Sequence, residues 1–187
     1  TGASRIATAH NADDNAETVL LNMARGSGLR GMCGIPPVRG ILVRPLLSVS
    51  RAEIDEYVEK NGIPYRDDST NLCDEYSRNR LRHNVLPVLK ELNPSFCENV
   101  SALTSHLRED EEFLDRLARE FIDKNLTGGR ISASKLLSEP LSVSSRVVKL
   151  LCPRALEDCH ISAVLRLCRS ENGSACADLP GIRVRRE

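Results

Sequence analysis

The sequence predicts an α/β domain followed by a mostly helical one, and three observations carry that reading. A short apolar run, Ile6-Ala7-Thr8-Ala9, leads through a polar loop into apolar residues at helical spacing. A second apolar run, Ile41-Leu42-Val43, leads into a second helix with a capping signal at its start. From Phe96 onward strand-like runs give way to long helical periodicity. The composition shift near Asn93-Pro94 sets the expected boundary, giving domains at residues 1–93 and 94–187.

Residues 6–9 read as a buried parallel strand. After the loop His10-Asn11-Ala12-Asp13-Asp14, the apolar Ala16, Val19, Leu20 and Met23 define a helix, and Gly26 is its stop. The loop then lies at the carboxyl end of the strand, where open α/β sheets bind ligands. Residues 26–40 hold five of the eleven glycines and two prolines and read as a loop. The strand at 41–43 ends at Pro45. Ser50-x-x-Glu53 is a capping box, Ile54, Tyr57 and Val58 form the next apolar face, and Gly62 is the stop. Asp67 to Asn71 is a polar loop. Leu81, Val85 and Leu89 share a helix face that Pro87 must kink or divide. Phe96, Val100, Leu103, Leu107, Leu114, Leu117, Phe121 and Ile122 then repeat over about seven turns, with Glu109 to Glu112 as a solvated acidic patch. Helices at 142–152 and 158–169 follow, the latter with Ile161, Val164, Leu165 and Cys168 inward. Asn172-Gly173 is a turn, and Ile182-Arg183-Val184-Arg185 alternates like a strand.

Composition narrows the function. The 187 residues are 41% hydrophobic, enough for a packed core, and 26 basic groups balance 26 acidic ones. That balance excludes a wholly basic nucleic-acid coat and a polybasic membrane binder. Aromatic residues, at 3%, are too few for a base-stacking platform. No apolar run approaches the roughly 20 residues of a membrane helix. The seven cysteines contain no C-x-x-C pair, which fits small core residues in a reducing cytoplasm better than a metal or redox centre.

Three constellations carry candidate chemistry. Asp14 and Glu17, three residues apart in a first helical turn, can converge on one cation, an ammonium or Mg²⁺, with His10 and Asp13 beside them. The plainer alternative is capping, with Asp13 or Asp14 as N-cap and Glu17 closing a box. The second is Arg25-Gly26-Ser27-Gly28 with Arg30 and Gly31, a loop suited to wrapping phosphate or to ending a helix. In the third, Arg78-Asn79-Arg80-Leu81-Arg82-His83 with Lys90 concentrates four basic residues without an acid, which suits RNA or ATP phosphate or a solvated helix face.

Together these motifs resemble the tRNA(Ile)-lysidine synthase family of the N-type ATP pyrophosphatases, or PP-loop enzymes. The resemblance rests on the run Thr8-Ala9-His10-Asn11-Ala12-Asp13-Asp14-Asn15-Ala16-Glu17-Thr18, then Arg25-Gly26-Ser27-Gly28-Leu29 and Arg44-Pro45-Leu46-Leu47. It continues through Asp68-Ser69-Thr70-Asn71, Arg78-Asn79-x-x-Arg82 and Pro87, covering residues 5–95; Leu179-Pro180-Gly181 is similar to a late segment of the following domain. It implies a partial Rossmann-like sheet of the adenine nucleotide alpha hydrolase type, then a helical tRNA-binding domain. It implies a cytoplasmic ligase that uses ATP with Mg²⁺ to adenylate the wobble cytidine of the AUA-reading, CAU-anticodon tRNA(Ile). Free L-lysine then displaces AMP. It implies Asp14 and Glu17 as the catalytic, lysine-binding pair, and His10, Asp13, Arg25, Arg78, Asn79 and Arg82 around ATP phosphate or tRNA. A homodimer stays open as a further partner.

One departure matters. The family's nucleotide loop, S-G-G-x-D-S, occurs nowhere in the sequence. It is expected upstream of Thr1, so the polypeptide as written is expected not to form the adenylate, and the end at Glu187 falls where a family member continues. A tRNA thiolase of the same superfamily is the rival enzyme, disfavoured by the lack of C-x-x-C. A helical RNA-binding or adaptor module is the rival from another class, and it leaves the run from His10 to Glu17 unexplained.

Overall fold

Strand β1 (Ile6–Ala7) runs parallel to β3 (Leu42–Val43), with Ile6 opposite Leu42, in a computed structural model that describes residues 2–65 and 77–187. Parallel pairing needs a crossover, and α1 (Ala12–Ala24) and α2 (Leu29–Met32) supply it. β2 (Val38–Arg39) joins β3 from the other side, antiparallel, giving the order β1-β3-β2. The strand at residues 6–9 thus has its expected direction but not its expected burial. Among the described residues it pairs with β3 alone, and Ile6 is 51% exposed.

Asn11 caps α1, and Gly26 ends it at φ +72, donating its N–H to the Met23 carbonyl as a left-handed C-terminal glycine does. The expected loop at 26–40 contains α2 and β2. Asn22 supports the single turn by donating from Nδ2 to the Gly31 carbonyl at 2.8 Å, which also receives the Gly34 N–H at 3.4 Å. α3 (Arg51–Lys60) carries the expected Ser50–Glu53 capping box. Its expected apolar face is shallow: Ile54 and Val58 are half-buried, and Tyr57 is exposed. The polar loop and motif at 67–71, and Cys73, lie outside the described residues.

The third helical stretch departs from a 3.6-residue period. α4 (Ser77–Arg80) passes through a π-helical turn, Leu81–Val85, into α5 (Leu86–Leu92), and the Leu86 N–H reaches back five residues to the Leu81 carbonyl. Pro87 sits in the first turn of α5, where its missing N–H costs little. The wide turn slips the apolar register by one residue. Leu86 is therefore buried where the spacing predicts Val85, and Val85 is 38% exposed.

α6 (Phe96–Asn125) is the expected long helix, and the chain divides within it into two compact units, Thr1–Glu109 and Asp110–Glu187. In the first unit Ala12, Ala16, Val19, Leu86, Cys97 and Val100 form the core. The second unit joins the end of α6 to α7 (Ala133–Ser138), α8 (Leu141–Leu151) and α9 (Asp158–Arg169). It closes with the hairpin of β4 (Cys176–Leu179) and β5 (Ile182–Arg185), turned by Pro180 and by Gly181 at φ +84. Its core includes Ala118, Phe121, Val147, Ile161, Val164 and Leu165. The acidic patch is only partly solvated: Glu111 pairs with Arg146, whose Nε lies 3.5 Å from Asp115. Cys33 and Cys97 are buried as expected, but Cys159 and Cys176 are exposed. Among the described residues no helix is long and apolar enough to cross a membrane.

The π turn makes a direct stability prediction. Leu86→Ala should cost about 2–5 kcal/mol and the adjacent Val85→Ala under about 1 kcal/mol in urea unfolding. A larger loss at Val85 would restore the uninterrupted helix register.

Candidate active site

Local sequence places the first turn of α1. The Asn11 side chain accepts the Asp14 N–H at 2.9 Å, and Asp14 Oδ2 accepts the Asn11 N–H at 3.1 Å. The capping box is thus Asn11 with Asp14, not Asp13 or Asp14 with Glu17. Asn11 has the same three-residue spacing, and starting the helix there frees Glu17 from any capping role. Asp14 keeps Oδ1 for another partner. Asp13 and Glu17, four residues apart, lie on one helical face.

That face meets cations from the third helical stretch. Glu17 is fully buried, and the Arg82 guanidinium grips it bidentately, with Nε to Oε1 at 2.6 Å and Nη2 to Oε2 at 3.0 Å. The same Nη2 donates to Asp14 Oδ1 at 3.0 Å. Arg78 Nε lies 3.3 Å from Glu17 Oε2, and its Nη2 donates to Thr18 Oγ1 at 2.6 Å. Lys90 Nζ donates to Asp13 Oδ1, while the Arg51 N–H, first in α3, donates to Asp13 Oδ2 at 2.9 Å. The Ala12 N–H meets the Val49 carbonyl at 2.9 Å, so the N-termini of α1 and α3 are tied together beyond the carboxyl ends of β1 and β3. This is where a parallel sheet places its ligands.

Three carboxylates therefore face three cations. The hydrogen bond it donates to Glu17 holds the Arg82 guanidinium above its ordinary pKa despite the cost of desolvation, and the charges of Glu17, Asp14 and Asp13 add to it. Burial works against charge on Lys90, but the hydrogen bond and charge of Asp13 outweigh it and raise the amine. Burial, with the Asp13 charge, pushes the Cys97 thiol up to about 11.

The other expected site residues are less concentrated. His10 is half-buried between β1 and α1, its Nδ1 2.9 Å from Thr8 Oγ1. Asn79 is half-buried on α4 beside Arg78. Arg25 is exposed at the C-terminal end of α1, about 16 Å along the helix axis from Asp14. Of the basic stretch, Arg78, Arg82 and Lys90 are directed at carboxylates rather than offered to phosphate. Sequence reasoning counted Lys90 only as part of that stretch. Its pairing follows from burial of Asp13, because a buried carboxylate needs a partner. It also passed over Asn15, which is buried and bonded on both sides.

In the structure each of the three carboxylates is matched by a protein cation. Elsewhere Glu157, Cys159 and His160 bring ligand atoms within 4.8 Å of one another. There His160 Nδ1 accepts the Glu157 N–H in the cap of α9, an arrangement that needs no ion.

Sheet order, crossover and the charged cluster at the strand ends define a small α/β domain, and residues 1–89 match the PP-loop domain family. Over most of its length the chain is similar to curated proteins named tRNA(Ile)-lysidine synthase, at 34–43% identity. It is 36% identical to the tRNA(Ile)-lysidine synthase of Geobacillus kaustophilus across 97% of this chain and 43% of the relative. It is 38% identical to that of Solibacter usitatus across 97% and 44%, and 43% identical to that of Parabacteroides distasonis across 74% and 32%. The chain thus spans less than half the length of these relatives.

Two stability outcomes test the geometry. Arg82→Leu strands a buried Glu17 and should cost about 3–5 kcal/mol, more than Glu17→Gln, which leaves Arg82 its bond to Asp14. Equal costs in denaturant melts would contradict the asymmetry. The second is alkaline. The unfolded Cys97 thiol ionises near its ordinary 9.0 and the folded one near 11, so stability falls as pH rises between those values. The Lys90–Asp13 pair adds a loss in the same direction at higher pH, as the raised Lys90 pKa is passed. Cys97→Ala should remove on the order of 2–3 kcal/mol of that fall; an unchanged pH slope would refute it.

Proposed function

We propose that this chain serves a tRNA(Ile)-lysidine synthase, joining L-lysine to C2 of the wobble cytidine in a CAU-anticodon tRNA(Ile) in the cytoplasm. ATP adenylates the C2 oxygen with release of diphosphate. The lysine ε-ammonium gives a proton to the Asp14 carboxylate, the amine nitrogen bonds to C2, and the C2–O bond breaks with AMP leaving. The carrying observation is the juxtaposition of Asp14 Oδ1 and Glu17 around one cationic group at the strand ends. One guanidinium satisfies both carboxylates here. In the proposed complex the lysine ammonium takes that place, and Asp14, whose side chain is one-fifth exposed, is the carboxylate it meets first. Proton loss then leaves the amine aimed at C2.

His10 and Asp13 border the adenylate. Arg82, displaced from its carboxylates, and Arg78 with Asn79 compensate phosphate charge. Arg25, at the far end of α1, serves the tRNA backbone. Mg²⁺ accompanies ATP in this reading, with no ligand among these residues assigned to it. A homodimer remains part of this reading as a partner. The thiolase alternative lacks its paired cysteines, and the adaptor alternative leaves a buried ion cluster without a task.

Lysine incorporation by the full-length protein into a CAU-anticodon tRNA tests the activity. Glu17→Ala should raise the KM for lysine at least about tenfold with the KM for ATP nearly unchanged. Equal losses for both substrates would assign Glu17 a structural role only.

A further inference from the structure

Asn15 is 1% exposed and lies between Asp14 and Glu17 in sequence, and its side chain hydrogen-bonds elsewhere. Its Oδ1 accepts the Ile35 N–H at 2.8 Å, and its Nδ2 donates to Thr104 Oγ1 at 3.1 Å. Thr104, itself fully buried, donates onward to the Ser101 carbonyl at 3.0 Å and receives Arg108 Nη2 at 3.1 Å. One amide therefore bolts α1 to the 33–35 turn and to α6, all within the first unit. The fit is tight. Gly34 holds φ +65, and a Cβ there would fall 2.2 Å from Asn15 Oδ1.

The ion pairs hold α1 on the face toward Arg82 and Lys90, while Ala12 and Ala16 offer the core only small side chains. The buried amide of Asn15, with partners on two other elements, fixes the rotation of the helix by a further constraint, within the packed interior. Residue 15 stands one position from Asp14 and two from Glu17, so its orientation dictates theirs. We propose that Asn15 is a positioning residue, fixing the rotation of α1 so that Asp14 Oδ1 and the Glu17 carboxylate converge on a single cation. Its effect on lysine rests on the function proposed above; its effect on the ion pair does not.

Two readouts separate these levels. The first is the Arg82 Nε–H resonance in ¹⁵N-resolved NMR, shifted and slowed in exchange by the bond to Glu17. The second is the KM for lysine against that for ATP in the full-length protein. Asn15→Leu should abolish the shifted Arg82 resonance while far-UV circular dichroism stays native. Thr104→Val, which removes only the Nδ2 partner and serves if Asn15→Leu does not fold, should broaden that resonance. It should also raise the KM for lysine at least about fivefold with the KM for ATP within about twofold, the scale of a small misplacement. Thr104→Ser keeps the hydroxyl and should behave as the parent. Retention of the Arg82 resonance and lysine KM in Thr104→Val, or their loss in Thr104→Ser, overturns the proposal. A protein whose Arg82 resonance responds as stated but which never uses lysine refutes the proposed function and leaves the positioning role standing.

Discussion

A carboxylate with no access to water stands only if strong donors replace its hydration, and Glu17 is such a group. Removing an ion from water costs several kcal/mol, so the replacement geometry must be good. A guanidinium fork supplies it, because two parallel N–H groups match two carboxylate oxygens at fixed spacing. That match sets the distance and orientation between α1 and the turn that carries Arg82. Much of the first unit follows from it. Asp14 adds its free oxygen to the same nitrogen, Arg78 approaches from one turn earlier, and Lys90 closes on Asp13.

The π turn is the geometric price of that arrangement. Arg78, Arg82, Leu86 and Lys90 all face α1, although twelve residues separate the first from the last. An uninterrupted α-helix turns about 100° per residue, so Lys90 would end about 120° away from Arg78. One extra residue in a single turn removes about 100° of that drift and leaves the row within about 20° of alignment. The Leu86 N–H, bonded to Leu81 rather than Arg82, is that extra residue in hydrogen-bond form. Pro87 helps from the other side, since it lacks the N–H that would compete for the His83 carbonyl. Ion pairing and apolar burial thus agree on a slip that neither local propensity nor a 3.6-residue period prefers.

This explains what the sequence could and could not disclose. The capped start of α3, the glycine stop of α1, the long helix from Phe96 and the inward face of α9 were legible because each depends on neighbours within a turn or two. The parallel direction of β1 was legible from the helix that follows it. The burial of Leu86 in place of Val85 was not, because distant partners decide it, and the capping box of α1 was not because several cap-forming residues with three-residue spacing compete at its start. The candidate site divides in the same way. Asp14, Glu17, Arg78 and Arg82 stand out by spacing and charge. Lys90 and Asn15 act through Asp13 and Thr104, 77 and 89 residues away in sequence.

The neutral balance of the whole chain recurs inside the cluster, and it has a chemical consequence. Buried carboxylates cannot be left unpaired, so a ligand ammonium reaches Asp14 and Glu17 only as a guanidinium leaves. On the proposed reading, lysine binding is an exchange of one cation for another, and its net free energy is the small difference between two strong interactions. Affinity is then governed by how well the displaced Arg82 is received elsewhere. Nucleotide or tRNA phosphate is the natural receiver, which couples amine entry to the presence of the anionic partner. A site built this way resists an ammonium arriving alone and admits it once the phosphate that will leave with AMP is in place.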